Sequence, residues 1–120
     1  MEYMIMNYTD ESQYPDFEPG SPEFQAMMGE WMAFNQSLID AGQMIGGASL
    51  AGTDTATVLT KNADGTESVT DGPYAETKEQ MGGYYLVNCD TLDEALDIAR
   101  RMPVPIGKLE VRPIAFRPEV

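Results

Sequence analysis

The order in which strand-like and helix-like segments follow one another is the feature that most constrains the fold of this chain. Residues 2–8 alternate as a β-strand, and both faces carry large apolar side chains, which is typical of a central strand. An acidic loop punctuated by prolines is expected over 9–20. A helix then begins with Ser21 as N-cap and Pro22 at the first helical position, and Gly42 ends it with a left-handed cap.

The rest of the chain continues this order around an inserted hairpin. The segments are a strand at 43–50, hairpin strands at 55–61 and 66–70, a strand at 83–88, a helix that opens at 91–94 and stops at Pro103, and a last strand region at 109–116. This order predicts an α+β fold of the ferredoxin-like, split βαβ plan with an inserted β-hairpin. The length predicts a single domain over residues 1–120.

The apolar positions of the two helices predict which faces are buried. In the first helix the inner face is expected to comprise Phe24, Met27, Met28, Trp31, Phe34 and Leu38. In the second helix it is expected to comprise Leu92, Ala95, Leu96 and Ala99. Because two helices cover only one face of the sheet, we expect the other, still apolar face to be buried in a homodimer. On this expectation, a charge introduced at Val111 produces a monomer or an aggregate.

The charge of the chain narrows the classes of partner. There are 20 acidic and 7 basic residues and no histidine, which gives a net charge of −13. Such a chain repels phosphate, so neither nucleic acid nor an anionic membrane surface is expected, whereas a basic protein partner or a neutral small ligand is compatible. No apolar run approaches the roughly 20 residues that span a bilayer, and residues 1–6 do not resemble a signal peptide. The lone Cys89 forms no internal disulfide and fits a reducing cytoplasm.

Polar chemistry is concentrated in the segment 71–80, which reads Asp-Gly-Pro-Tyr-Ala-Glu-Thr-Lys-Glu-Gln and lies between two strand-like runs. Asp71 is the candidate general base or polar anchor, because the restricted backbone of Gly72 and Pro73 would fix its direction. Tyr74 is the candidate proton partner. The alternative is a turn aspartate whose carboxylate caps nearby backbone amides, which is the commoner role of such a residue.

Further side chains are candidates for lining a ligand pocket. Glu76 and Lys78 could orient a ligand, or they could form surface ion pairs, which are worth roughly 0–1 kcal/mol. An aromatic pocket wall with hydroxyl groups could be formed by Tyr3, Tyr8, Trp31, Tyr74 and Tyr84. Ordinary core packing is the alternative, and it is favoured for Trp31, which lies in the apolar stripe of the first helix. Neither a metal nor an organic cofactor is expected, because the sequence contains no zinc-type ligand cluster and no phosphate-binding glycine motif.

Together with the opening residues 1–6, the segment 71–80 resembles the YCII-related family, and more narrowly the branch named after an Asp-Gly-Pro-Phe motif, whose fourth position is Tyr74 here. The similarity continues at 41–42, 46–47, 92–95 and 110–113. The resemblance implies a dimeric α+β barrel of ferredoxin-like subunits. Most family members have no assigned reaction, and some are lyase-like and use a His-Asp pair that cannot be carried over to a chain without histidine. Genes of this branch commonly neighbour those of extracytoplasmic-function sigma factors, which suggests a regulatory context.

Three functions are compatible with these residues. The chain binds a small organic molecule in a pocket near the motif, with cofactor-free acid/base chemistry of the lyase or isomerase type as one extension. Alternatively, it is a non-catalytic regulator that docks a basic partner, or the segment 71–80 is purely structural. An enclosed cavity with Asp71 at its wall favours the first function, a flat acidic patch the second, and side chains satisfied by one another the third.

Overall fold

The computed structural model describes residues 1–75 and 77–119 of the chain. These residues form β1 (Glu2–Asp10), α1 (Pro22–Asp40), β2 (Met44–Ser49), β3 (Thr57–Lys61), β4 (Glu67–Asp71), β5 (Glu79–Asn88), α2 (Leu92–Arg101) and β6 (Lys108–Pro113). Single turns of 3-10 helix lie at Glu11–Gln13 and Thr53–Thr55. The predicted α+β class and the predicted order of elements are confirmed, with boundaries that shift by a few residues.

The strands form two separate antiparallel sheets. The larger sheet has the order β2-β5-β1-β6, so β1 is a central strand, as its two apolar faces predict, and β6 lies at an edge. The smaller sheet consists of β3 and β4, joined by a turn in which Gly65 has a φ of +89°. Within residues 1–75 and 77–119, neither sheet closes into a barrel. We refer to Thr57–Asp71 as the ribbon.

Local signals in the sequence set the two ends of α1. The Ser21 hydroxyl accepts a hydrogen bond from the backbone N–H of Phe24 at 3.1 Å, which satisfies one of the free donors of the first turn. Pro22 follows at the start of the helix, where its missing N–H costs no hydrogen bond. Gly42 has a φ of +69°, the left-handed conformation that ends many helices. Both predicted caps are therefore confirmed.

The buried faces of the helices differ from the predicted faces at three positions. On α1, Phe34 and Leu38 are buried, but Met28 is 42% exposed, so its assignment to the inner face was wrong. On α2, Leu92 is 48% exposed and Ile98, which the prediction omitted, is 1% exposed. Helical side chains lean towards the N-terminus, so Leu92, the first residue of α2, leans past the end of the helix and away from the core.

One face of the larger sheet packs against both helices. Tyr3 and Ile5 of β1 lie opposite Val87 and Tyr85 of β5 on this face. The buried core comprises Tyr3, Ile5, Phe34, Leu38, Val87, Cys89, Ala95, Ile98, Ala99 and Met102. Val111 lies opposite Ile5 and packs against this core. A charge at Val111 would therefore disturb the helix-covered face, and its choice as a probe of the uncovered face was wrong.

The other face of the larger sheet is not covered by the helices. Because side chains alternate along a strand, Met4, Met6 and Tyr8 of β1 lie on this face, and the pairing register adds Leu86 opposite Met4 and Tyr84 opposite Met6. From β6 it receives Lys108, Glu110 and Arg112, which pair with Tyr8, Met6 and Met4. We call this surface the open face. It is apolar at its centre and charged along the β6 edge.

Candidate functional site

The beginning of the segment 71–80 is fixed by contact with the base of the ribbon. The N–H of Gly72 donates a hydrogen bond of 2.8 Å to the carbonyl oxygen of Ala56. A Cβ atom at Gly72 would lie 2.8 Å from the Cβ of Ala56 and 3.2 Å from Cγ2 of Val58, closer than side-chain atoms approach one another. This close packing therefore favours glycine at position 72, whatever chemistry its neighbours perform.

The end of the segment is held by its own side chains. The side-chain amide of Gln80 donates to the carbonyl oxygens of Ala75 at 2.7 Å and Thr77 at 2.6 Å. The hydroxyl of Thr77 in turn donates to the carbonyl oxygen of Glu79 at 2.6 Å. Hydrogen bonds of this kind within the segment are what its structural role predicts. They also fix the backbone on either side of Lys78.

A groove lies where the segment meets the open face, and we call it the Lys78 groove. It has a volume of about 510 Å³ and is lined by Tyr8, Thr77, Lys78, Glu79, Lys108 and Glu110. Tyr8 and Lys108 are direct cross-strand partners of β1 and β6, and Glu79 is the first residue of β5. Two of the three lysines of an acidic chain therefore meet in one groove. The groove is open to solvent.

The charges of the Lys78 groove are only partly paired with one another. The ammonium group of Lys108 forms an ion pair with the carboxylate of Glu79. Lys78 forms no ion pair with residues 1–75 or 77–119. Hydrogen bonds from the hydroxyl and N–H of Ser12 lower the pKa of Asp10, and the nearby positive charge of Lys78 lowers the same pKa further. Glu110, which also lines the groove, forms no ion pair with these residues either, so the groove offers a bound molecule one ammonium group and one carboxylate.

The structure brings only some of the predicted site residues together. Tyr8 and Lys78 line the groove, whereas Tyr84 lies further along the open face. Asp71 is exposed at the end of β4 and Tyr74 is 89% exposed, and neither lines the groove. Tyr3 is 4% exposed in the helix-covered core, on the opposite side of the sheet from Tyr8. Glu76 lies outside the described residues.

Sequence reasoning missed the contribution of β6 to the groove. Lys108 and Glu110 reach it because β6 pairs with β1, at opposite ends of the chain, in a register that sets Lys108 beside Tyr8. The alternation of residues 109–111 indicates a strand, but it does not identify the partner strand or the register. Lys108 could therefore have been identified only from the pairing of β6 with β1, which the local sequence pattern does not show.

A second depression, with a volume of about 440 Å³, lies beside the helices on the other side of the molecule. Arg101 and Phe34 contribute to its lining, and the guanidinium of Arg101 lies 5.8 Å from the centre of the Phe34 ring. Arg101 also donates to the hydroxyl of Ser37 at 3.1 Å. These contacts join the end of α2 to α1, so we interpret this depression as part of helix packing.

The aromatic side chains of the covered face form a packed cluster. The rings of Trp31 and Tyr85 stack with centroids 6.2 Å apart, and Phe34 meets the Tyr85 ring edge-on at 5.4 Å. The hydroxyl of Tyr85 hydrogen-bonds to the side-chain oxygen of Asn35, and burial raises the pKa of Tyr85. Trp31 is therefore part of the core packing, as its place in the helical stripe predicts.

Residues 1–75 and 77–119 contain neither a membrane-spanning helix nor a cluster of metal ligands. Neither α1 nor α2 is long and apolar enough to cross a membrane. These residues also contain no group of three or more Cys, Asp or Glu side chains placed to hold a metal ion.

Comparison with known proteins agrees with this description of the chain. The model of the YCII-related domain matches residues 1–116. The chain belongs to the YCII-related domain family. A protein of Rhizobium meliloti (strain 1021), described as uncharacterized, is 39% identical over 119 residues, which cover 97% of this chain and 94% of that protein. The YCII-related domain thus extends over both helices and the whole of the larger sheet, and the relative carries no described activity.

Proposed function

We propose that this YCII-related protein binds a small organic molecule with a negatively charged group in the Lys78 groove. The observation that carries the proposal is the meeting of Lys78, Lys108 and Tyr8 in one groove of a chain whose net charge is −13. A volume of about 510 Å³ is within the size range of small-molecule sites. The groove also adjoins the polar segment 71–80, in which the sequence predicts a site.

Lys78, Tyr8 and Glu79 have separate roles in this proposal. The ammonium group of Lys78 pairs with the negative group of the ligand, since it has no ionic partner among the described residues. The phenol of Tyr8 hydrogen-bonds to the ligand in place of its weak 3.7 Å contact with the sulfur of Met6. Glu79 keeps Lys108 in place by the ion pair between them.

Acid/base chemistry is an extension of this binding function. Asp71 and Tyr74 remain the candidate base and proton partner, but in one chain they lie outside the groove. The proposal for the groove is therefore one of binding, and Asp71→Asn should leave ligand affinity unchanged. A change of affinity in Asp71→Asn would place the carboxylate at the ligand and strengthen the catalytic reading.

The binding proposal is tested by titrating benzoate and its uncharged counterpart benzamide into the full chain, followed by backbone amide NMR. We expect benzoate to shift the signals of residues 8, 77–79 and 108–110 and to bind about tenfold more tightly than benzamide. Lys78→Ala should remove this preference, and Lys61→Ala, a lysine of the ribbon, should retain it. Equal affinities for both compounds, or equal effects of both variants, would contradict the proposal.

We further propose the finer features of the fold and assembly. The strand order β2-β5-β1-β6, with α1 after β1 and α2 after β5, supports a ferredoxin-like, split βαβ plan into which the ribbon is inserted. The residues 71–74 support membership of the Asp-Gly-Pro-Phe branch, with tyrosine at the last position. The uncovered apolar centre of the open face supports a homodimer of single-domain chains whose open faces meet.

A further inference from the structure

We infer that the ribbon is an interface element that packs on the open face of a second copy of this chain. The inference rests on the homodimer proposed above and adds a specific contact to it. In a dimer with two-fold symmetry this contact occurs twice, because each ribbon lies on the open face of the other chain. Where the two open faces meet, each is then also covered by the ribbon of the other chain, which has no packing partner within its own chain.

The ribbon has no supporting layer in a single chain. Every residue of β4 is exposed, and on β3 only Val58 is partly buried. An isolated two-stranded hairpin is marginally stable in water and is normally supported by a third strand or by a helix. The radius of gyration of 16.6 Å exceeds the value of about 14 Å expected for a compact domain of this length. The ribbon thus extends away from the body of the chain and exposes both its faces.

One face of the ribbon has an apolar centre. Leu59 and Val69 are direct cross-strand partners, and they are 53% and 68% exposed. Because positions two apart on a strand share a face, Lys61 and Glu67 flank this pair on one side and Asp71 flanks it on the other. Covering the pair removes apolar surface from water, which favours association. The face therefore has an apolar centre with acidic residues on both sides.

The open face has the opposite arrangement of charge. Its centre is apolar, and its β6 edge carries Lys108 and Arg112 with Glu110 between them. Two copies of a chain with net charge −13 repel each other unless acidic and basic groups face one another. The basic residues of α2 lie on the helix side of the sheet, and Arg117 is bound to Glu2. Lys108 is already paired with Glu79, so Arg112, which forms no ion pair with residues 1–75 or 77–119, is the basic group of the open face best suited to meet an acidic flank of the ribbon.

The direct test replaces Leu59 by a photoreactive benzophenone side chain in full chains, half of them isotope-labelled, that are mixed by unfolding and refolding together. After irradiation, cross-linked peptides are identified by mass spectrometry. We expect cross-links between labelled and unlabelled chains from position 59 to β1, β5 or β6. The same side chain in place of Thr60, on the other face of the ribbon, should give few of them. Cross-links confined to one chain, or cross-links to the helices of the partner, would overturn the inference.

A second measurement separates this contact from the dimer itself. Leu59→Asp and the matched variant Thr60→Asp both alter exposed ribbon positions, so neither should unfold the body of the chain. By light scattering over a dilution series, we expect Leu59→Asp to weaken self-association at least about tenfold and Thr60→Asp to leave it nearly unchanged. A wild-type chain that stays monomeric overturns both the dimer and the ribbon contact. A wild-type dimer that Leu59→Asp leaves intact overturns the ribbon contact alone.

Discussion

The two faces of the larger sheet are made of alternate residues of the same strands, yet only one of them is completed within the chain. On β1, Ile5 is fully buried beneath the helices, whereas its neighbour Met4 lies on the open face and is only partly buried. The covered face is apolar, with aromatic rings packed between sheet and α1. The open face changes from apolar at its centre to charged at β6, and it ends at the Lys78 groove.

If the open face binds as proposed, stability and binding depend on opposite sides of one sheet. The side chains that hold the helices cannot contact a ligand or a second chain, because they point to the helix-covered side. Those that can do so, such as Tyr8 and Lys108, contribute little to the core. Substitutions on the two faces should therefore have distinct consequences, which matched control variants can reveal.

The largest effect is expected in the covered core. Leu38→Ala should lower the free energy of unfolding by about 2–5 kcal/mol, because the side chain is fully buried and its removal leaves a cavity. The adjacent residue Ile39 is 55% exposed, so Ile39→Ala should cost far less. Urea unfolding of both variants measures the difference. Similar losses would show that α1 is not packed as described.

A charge introduced at Val111 should have a different kind of effect from a charge introduced on the open face. Val111 packs against the core, so Val111→Asp should destabilise the fold by about 1–3 kcal/mol through burial of a poorly paired polar group. Leu86→Asp, on the open face, should instead leave the circular dichroism spectrum intact and promote dissociation to monomers. Light scattering together with thermal unfolding distinguishes these results. Dissociation caused by Val111→Asp, with destabilisation caused by Leu86→Asp, would mean that Val111 lies on the open face and Leu86 on the covered face.

Glycine substitutions should have opposite signs at the ribbon base and on α1. Gly72→Ala should destabilise by ~1 kcal/mol, because its Cβ would meet the Cβ of Ala56 at 2.8 Å. Gly29 lies within α1 with no atom near the position of an added Cβ, so Gly29→Ala should stabilise by about 0.4–1 kcal/mol. Chemical denaturation measures both changes. Stabilisation by Gly72→Ala would contradict the close contact between the segment 71–80 and the ribbon.

The smallest effect concerns the ion pair that ties the C-terminal residues to β1. Two nitrogens of the Arg117 guanidinium, Nε and Nη2, donate to the carboxylate of Glu2 at 3.0 and 2.9 Å, and this hydrogen bonding lowers the pKa of Glu2 below its ordinary value of 4.5. A carboxylate with a lowered folded-state pKa stabilises the fold above its unfolded pKa, and this contribution is lost as pH falls through the folded pKa. Glu2→Gln should thus melt slightly below the wild type at neutral pH.

The pH dependence of Glu2→Gln provides a control that tests whether the ion pair causes the loss. The melting temperatures of Glu2→Gln and the wild type should converge as the pH falls through the lowered folded-state pKa of Glu2, because the carboxylate is then protonated in both the folded and the unfolded state. Arg117→Gln should reproduce the neutral-pH loss, and the double variant should add little to it. A difference between Glu2→Gln and the wild type that does not depend on pH would show that the ion pair is not its cause.

Helix caps and turns were predictable from the sequence, whereas contacts between elements remote in the chain were only partly predictable. The caps at Ser21 and Gly42 and the ribbon turn at Gly65 follow from neighbouring residues, and the structure confirms them. The inward assignment of Leu92 failed because helical spacing does not show where a helix meets the core. The separation of Tyr3 from Tyr8 could have been inferred, since positions five apart on a strand lie on opposite faces.

The candidate site was less predictable than the fold. Lys78 belongs to the segment that the sequence singles out, and Tyr8 was proposed as an aromatic residue with a hydroxyl group. Their meeting depends on the pairing of β1 with β5 and β6, which also brings Lys108 into the groove. Sequence patterning defines strands and their faces, but the register between strands remote in the chain arises from the packing of the whole sheet.

The central claim is that the open face, and not the helix-covered face, is the binding surface of this YCII-related protein. NMR of the methionine methyl groups tests it, first during dilution of the full chain and then during addition of benzoate. The account predicts that dilution shifts the Met4 signal and that benzoate shifts the signal of Met6, which contacts Tyr8. The signals of Met102 in the core and of Met32, 66% exposed on α1, should stay constant. Constant Met4 and Met6 signals, with changes at Met32 instead, would contradict the account.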